Sequence, residues 1–178
     1  MLLDLSIKQS PSDNELITYN KSVTEFLFDI SRTYLKAFGA DCFEYKKFFF
    51  DGKFFYISSN PDWHKHYVEE FARSNYEIKH IKKIIHENIK YHILESEISS
   101  KNNHFINLID VMKKNNMWYY FTIYLHYENS IEAFSFASSD PNKNYLNQII
   151  NKYDLVYRFI VHFMDRASII IESANLYN

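Results

Sequence analysis

Two adjacent segments in which side chains alternate in character constrain the fold of this chain more than any other sequence feature. In Met117–Tyr127, the residues Trp118, Tyr120 and Thr122 occupy every second position, and Ile131–Ser138 follows after a three-residue turn. A period of two is typical of strands whose two faces differ. Strands joined by so short a turn pair antiparallel, so the sequence predicts a hairpin within an antiparallel sheet.

A second hairpin is predicted in the first third of the chain. The aromatic-rich runs Asp41–Phe50 and Lys53–Ser58 are separated by Asp51-Gly52. This dipeptide favours a type I′ turn, because that turn requires positive φ at both central positions. Tyr91–Leu94 is a further strand candidate, which brings the expected number of strands to five.

Helical periodicity accounts for most of the remaining chain. Gly39 is a natural helix end, and Asn60-Pro61 opens a helix because proline is favoured in the first turn. Helices around the hairpins indicate a layered α/β sandwich, and without repeats or a linker we predict one domain over residues 1–178. Apolar spacing predicts helices in residues 12–38, 61–71, 78–89 and 101–114 and from Asp140 onward, with a break near Tyr153-Asp154.

Composition excludes several common classes of protein. With only two glycines, the chain lacks a phosphate-binding Walker loop, a GxGxxG dinucleotide turn and a GxSxG nucleophile elbow. A formal net charge of -2 gives no global field that attracts nucleic acid or anionic lipid. The single cysteine, Cys42, excludes an intrachain disulfide and predicts a cytoplasmic location. Charged residues interrupt the most apolar helical stretch, Val156–Ile171, so we expect a soluble protein without a membrane partner.

Patterns that would support catalysis or metal binding are not found. His64 and His66 are two positions apart and would point in different directions on a helix, unlike the i, i+4 pair of a helical zinc site. The sequence places no histidine beside Cys42, and solvation of a helix surface explains Glu69-Glu70. We therefore predict no enzyme activity, no catalytic residue, no metal and no cofactor.

Aromatic residues make up 19% of the chain and give its main functional signal. A buried tyrosine hydroxyl or tryptophan N–H needs a polar partner, so these residues suit a largely apolar cavity with a few polar groups. The alternative is that the same rings simply fill the core. The candidate ligand-contacting residues are Tyr45, Tyr56, Trp63, Tyr67, Tyr76, Trp118 and Tyr120.

The order of these motifs resembles the N-terminal sensory domain of LuxR-type quorum-sensing transcription regulators. Residues 58–67 (SSNPDWHKHY) are similar to the family's NYPxxWxxHY segment, with Trp63 and Tyr67 at its pocket-lining positions. Residues 134–138 (FSFAS) resemble the strand that ends the family's second hairpin, and Ser135 joins the candidate ligand contacts. Residues 153–160 (YDLVYRFI) resemble the last sensory helix, so the likeness extends over roughly residues 20–175.

Three departures from the family pattern bear on the ligand. Residues 76–80 replace the Asp-Pro whose carboxylate holds the amide of an acyl-homoserine lactone, and residues 91–94 lack the tryptophan that caps the lactone. Bulk near Tyr119 replaces a glycine. Because a site built around a buried hydrogen bond discriminates strongly, we expect a ligand other than a typical acyl-homoserine lactone.

Together these observations predict an α/β (α+β) fold, an α/β/α sandwich with a five-stranded antiparallel sheet of PAS- or GAF-like type. The resemblance implies a ligand-sensing regulatory domain for a small apolar ligand with a polar head group near Tyr56, Trp63 and Tyr67. A second copy of the chain is a candidate partner. We expect contact with DNA only through a helix-turn-helix domain, which the family carries after the sensor and this chain lacks. The alternative function is a stand-alone protein-interaction or dimerisation module with a filled aromatic core.

Overall fold

Within the described residues, the sheet has five strands joined by four antiparallel pairings, in the spatial order β2-β1-β5-β4-β3. The computed structural model describes residues 21–50, 54–70, 75–95, 110–140 and 144–176. Both predicted hairpins are confirmed, whereas the turn at Asp51-Gly52 lies outside the described residues. The strands are β1 (Cys42–Phe49), β2 (Phe54–Ser58), β3 (Tyr91–Glu95), β4 (Tyr119–His126) and β5 (Ser130–Ser138).

Six helices surround this sheet in the described ranges. The predicted break near Tyr153-Asp154 is confirmed, because one helix ends at Asn151 and the next begins at Tyr153. The helical predictions for residues 12–20 and 101–109 fall outside the described residues. The helices are α1 (Lys21–Phe38), α2 (Pro61–Glu70), α3 (Asn75–Glu87), α4 (residues 110–114), α5 (Asn144–Asn151) and α6 (Tyr153–Leu176).

The predicted α/β class requires a correction. All four strand pairings are antiparallel, and the two neighbours in sequence, β1–β2 and β4–β5, are hairpins. An α/β fold is built from parallel strands with helical crossovers, whereas here helices pack on an antiparallel sheet. The class is therefore α+β.

The main core lies between one sheet face and the helices α1, α5 and α6. Its centre is aromatic: the rings of Phe43 and Phe159 meet edge to face with centroids 4.8 Å apart, and Phe136 packs on both. Edge-to-face contacts place the positive edge of one ring against the negative face of another. This layer fixes one side of the sheet, so the opposite side is where a site can form.

Three helices end in the same way, although the chain has few glycines. At the ends of α1, α3 and α4, a residue with positive φ closes the helix: Gly39 at 77°, Asn88 at 51° and Asn116 at 56°. Asparagine tolerates this left-handed conformation better than most residues, which explains its use here. In each case the following amide donates to a carbonyl five positions earlier, Ala40 to Leu35, Ile89 to Ile84 and Met117 to Met112.

Within the described ranges, no helix is both long enough and apolar enough to cross a lipid bilayer.

Candidate functional site

The sheet face opposite the main core has small side chains at its centre. Side chains alternate between the two faces of a strand. On the central strand β5, Phe134 and Phe136 lie in the main core, whereas Ala133, Ser135 and Ala137 lie on the opposite face. Small residues on the middle strand, between larger ones on its neighbours, make the centre of this face lower than its edges.

Two clusters of buried apolar side chains occupy this face. One lies beneath α2 and the other beneath α3. The α2 cluster consists of Cys42, Phe54, Tyr56, Trp63, Tyr67, Met112, Met117, Tyr120 and Ala137, and the α3 cluster of Ile84, Tyr124, Ile131 and Ala133.

A row of four buried polar side chains crosses the sheet. Where it crosses β4 and β5, it separates the two clusters. The strand register aligns Ser58, Glu44, Ser135 and Thr122 across four neighbouring strands, and none of the four is more than 4% exposed. Thr122 Oγ1 and Ser135 Oγ are 2.9 Å apart and share a hydrogen bond. We call these four residues the polar row. It places hydrogen-bonding groups across the low centre of the face.

Glu44 is the charged member of the polar row. Its Oε2 atom accepts a hydrogen bond from the Tyr120 hydroxyl and lies 3.8 Å from Lys46 Nζ. Burial raises the pKa of Glu44, whereas the Lys46 charge and hydrogen bonding from Tyr120, Trp63 and Tyr56 lower it. Oε1 has no hydrogen-bond partner among the described residues. The carboxylate thus lies among three side-chain donors, those of Tyr120, Trp63 and Tyr56.

Lys46 balances this carboxylate from an aromatic environment. Its side chain is buried, and its Nζ lies 3.8 Å from the ring centroid of Tyr67 and 5.5 Å from that of Tyr56. A cation over an aromatic face is attracted by the electron-rich ring. Lys46 and Glu44 therefore form a buried ion pair beneath α2.

The first turn of α2 positions the aromatic side chains above this pair. Asn60 Oδ1 accepts a hydrogen bond of 3.0 Å from the Trp63 amide, which is an N-cap, and Pro61 begins the helix. The next residue, His64, stacks on Tyr56 with a centroid distance of 4.9 Å. Burial lowers the pKa of His64 from 6.5 to about 4, so the imidazole is neutral at pH 7.

Cys42 lies at the edge of the same face, where burial makes its thiol a weak nucleophile. Its Sγ is 3.6 Å from Ser58 Oγ. Burial, and next the charge of Glu44, raise the pKa of the Cys42 thiol from 9.0 to about 12. Because the thiolate is the nucleophile, a thiol of this kind is a poor one. In the part of the chain that the structure describes, no three His, Cys, Asp or Glu side chains could hold a metal ion.

The structure brings together five of the eight predicted contact residues. Tyr56, Trp63, Tyr67 and Tyr120 belong to the α2 cluster, and Ser135 lies beside them in the polar row. Their role as ligand contacts stays a prediction.

The other three predicted contact residues lie elsewhere. Tyr45 lies on the opposite sheet face, where its ring packs on Phe134 and Phe163. Trp118 precedes β4 and packs against the main core. Tyr76 lies in α3, and its side chain is outside the described part of the structure.

The sequence analysis missed Glu44, Lys46 and His64 as members of this site. Glu44 and Lys46 are two positions apart on β1, a spacing that places them on one face. One signal could have revealed this pair: two charged residues occupy consecutive positions on one face of a strand that is rich in aromatic residues. His64 gave no such signal, because its burial follows from the docking of α2.

The comparisons with known proteins concern the fold. Neither a protein-family model nor a curated protein matches the sequence. The fold is similar to that of CepR2 from Burkholderia cenocepacia, an N-acylhomoserine lactone-dependent LuxR family transcription factor. The TM-score is 0.58 at 10% identity, over 82% of this chain and 95% of that chain.

Two further structures are similar at lower TM-scores. Escherichia coli SdiA has a TM-score of 0.47 at 13% identity, over 84% of this chain and 62% of that chain. A GAF domain/HD domain protein from Geobacter sulfurreducens has a TM-score of 0.48 at 18% identity, over 83% of this chain and 97% of that chain. The predicted resemblance to LuxR-type sensory domains is thus supported at the level of the fold, through CepR2.

Proposed function

We propose that this chain is a regulatory domain that senses a small molecule, with the ligand between the polar row and α2. The observation that carries the proposal is the asymmetry of β5. This strand fills the main core with phenylalanines and gives the opposite face only Ala133, Ser135 and Ala137. A largely apolar surface with a few convergent polar groups is the usual form of a small-molecule site.

The polar groups on this face favour an amphiphilic ligand. The departures from the family pattern at residues 76–80 and 91–94 favour one other than a typical acyl-homoserine lactone. Tyr56, Tyr120 and Glu44 are buried and converge near Trp63, while Tyr67 and Ala137 add apolar surface. The similarity of fold to CepR2, whose name states its dependence on N-acylhomoserine lactone, supports the sensing role. A part in quorum sensing and transcription regulation belongs to this proposal.

A thermal-shift panel tests the sensing function. Acyl lactones, fatty acids, pyrones and a cell extract are each added to the protein. A ligand at 100 times its Kd that binds only the folded state stabilises it by about 2.7 kcal/mol. For a domain of this size that is a rise in Tm of about 5–10 °C. A melting temperature unchanged by every member of the panel would count against the proposal.

Two variants locate the ligand. Ser135→Leu fills the low centre of the face, whereas Thr122→Val keeps its shape, and both break the Thr122–Ser135 hydrogen bond. We expect Ser135→Leu to abolish the ligand-induced shift and Thr122→Val to retain it. If the ligand-induced rise in melting temperature is the same in both variants, the ligand binds elsewhere.

We further propose that the domain acts in the cytoplasm and is not an enzyme. The raised pKa of Cys42 disfavours nucleophilic chemistry, and the lowered pKa of His64 makes its imidazole too weak a base for efficient proton transfer at pH 7. The lone cysteine fits a reducing compartment.

A second candidate function, a dimerisation module, is favoured by the outer side of α6. Tyr153, Tyr157 and Val161 recur every four residues and are 46%, 52% and 56% exposed. An apolar stripe of this kind suits a second copy of the chain. Light scattering on wild type and Val161→Glu tests it: we expect a dimer that the variant dissociates, and a monomeric wild type would refute the candidate.

A further inference from the structure

The solvent side of α3 differs from that of α1 in the sign of its charges. The exposed charged residues of α1 alternate in sign, as Glu25, Asp29, Arg32 and Lys36. Mixed signs are typical of a helix side that contacts only water. From residue 79 to residue 90, by contrast, Glu87 is the single exposed acidic residue. The exposed basic residues of this segment, which we call the basic face, are Lys79, Lys82, Lys83, His86 and Lys90.

Contacts on the inner side of α3 fix the direction of the basic face. Ile84 is buried in the α3 cluster. Two hydrogen bonds tie the helix and the residues after it to β4: His80 Nε2 lies 3.2 Å from the Tyr124 hydroxyl, and His126 Nε2 lies 2.7 Å from the Ile89 carbonyl oxygen. The apolar side of α3 is therefore used within the domain, so that a partner on the outer side would be attracted mainly by charge.

The basic face is short. Lys79, Lys82, Lys83 and His86 lie three or four positions apart and share one side of the helix. At 1.5 Å per residue they span about 10 Å, and Lys90 follows after the helix end. The face thus matches an anion of about two helical turns in length.

The charge of the remaining chain restricts the kind of anion that fits. The four lysines contribute four positive charges to a formal net charge of -2, so the other residues together carry -6. A nucleic acid duplex or an anionic bilayer extends beyond the basic face and would meet this negative remainder. Because exposed charges act over about 10 Å at 0.1 M salt, an anion confined to the face avoids most of that repulsion.

We propose that the basic face of α3 is a docking surface for an acidic helix of a partner protein. In such a helix, glutamate or aspartate recurs every three or four residues over about two turns, which places the carboxylates at the spacing of the lysines. Complementary charges of this kind speed association and select the partner. The interaction is independent of the proposed ligand.

Two labelled helical peptides test the docking surface by fluorescence anisotropy. One carries glutamate at positions i, i+3, i+4 and i+7, and the other carries glutamine at the same positions. We expect the glutamate peptide to bind about 10-fold more tightly at low salt, because four exposed ion pairs together supply a difference of this size. The difference should shrink as the salt concentration rises.

A charge-reversal variant and a matched control locate the interaction. Lys79→Glu/Lys83→Glu should remove the preference for the glutamate peptide. Arg32→Glu/Lys36→Glu makes the same change of charge at exposed positions of α1, which packs on the opposite side of the sheet, and should keep the preference. Lys79→Gln/Lys83→Gln, which introduces no like-charge pair, covers the case in which the first variant does not fold.

The outcomes decide between the classes of partner. Equal affinity of the wild type for the two peptides, or equal effects of the α3 and α1 variants, would overturn the proposal. A short DNA duplex and phosphatidylserine vesicles are the comparison probes, and we expect both to bind more weakly than the glutamate peptide. Tighter binding of either, lost in the α3 variant, would also refute the acidic helix. None of these results bears on the sensing function, whose test is the thermal-shift panel.

Discussion

Acidification should destabilise this protein through one histidine. His64 is 3% exposed and stacks on Tyr56, and burial lowers its pKa from 6.5 to about 4. Between these two values the unfolded chain binds a proton that the folded chain does not. Stability therefore falls as the pH falls through this window.

The size of the effect follows from the two pKa values. Their difference is worth about 3 kcal/mol in full, at about 1.36 kcal/mol for each pKa unit, and about 2 kcal/mol of it is lost between pH 7.5 and pH 5. Glu44 acts in the opposite direction: burial raises its pKa above 4.5, so the folded state holds the extra proton there. Because the two effects overlap, only a difference between variants isolates the histidine.

The assay is urea unfolding, followed by circular dichroism, at several pH values from 7.5 to 5. His64→Phe keeps a flat ring on Tyr56 and cannot titrate, so its stability should fall by about 2 kcal/mol less than that of the wild type over this range. His86→Gln, at an exposed position of α3, is the control and should follow the wild type. Parallel curves for His64→Phe and the wild type would refute the argument, because His64 would then keep its ordinary pKa in the folded protein.

Three further predictions concern stability measured by urea unfolding. Gly39→Ala should lower the free energy of unfolding by about 1–2 kcal/mol, because φ is +77° and the new Cβ would lie 2.8 Å from Gln148 Oε1. An unchanged free energy of unfolding would show that alanine fits this helix end without strain. Asn60→Ala should lower the free energy of unfolding by about 1 kcal/mol, because it removes the N-cap of α2. Asn60→Asp keeps an acceptor at this position and should retain stability; equal losses in the two variants would refute the capping role. Tyr120→Phe should cost about 1–3 kcal/mol because it removes a hydrogen-bond donor to buried Glu44. Tyr145→Phe should cost nothing, because the Tyr145 hydroxyl has no hydrogen-bond partner among the described residues; the reverse order would contradict this view of Glu44.

Local signals in the sequence were sufficient for the strands and for the two hairpin pairings, β1–β2 and β4–β5, but not for the β1–β5 and β3–β4 pairings. The alternation in Met117–Tyr127 and the short turn after it predict the β4–β5 hairpin, because a strand period and a tight turn depend only on neighbouring residues. Asn60-Pro61 predicts the start of α2 for the same reason, since a cap and a first-turn proline act within one helical turn.

The tertiary structure decided which face of the sheet carries the site. Aromatic residues occupy both faces, so their alternation does not show which face covers the main core. The register pairs Tyr45 with Ile57 and Lys46 with Tyr56. Because neighbouring residues of a strand point to opposite faces, Tyr45 lies in the main core and Lys46 lies beneath α2. Sequence reasoning grouped Tyr45 with Tyr56 because both are tyrosines, whose buried hydroxyls need polar partners. The burial of Glu44 and the neutral state of His64 arise only when α2 covers the sheet and excludes water, which no local pattern encodes.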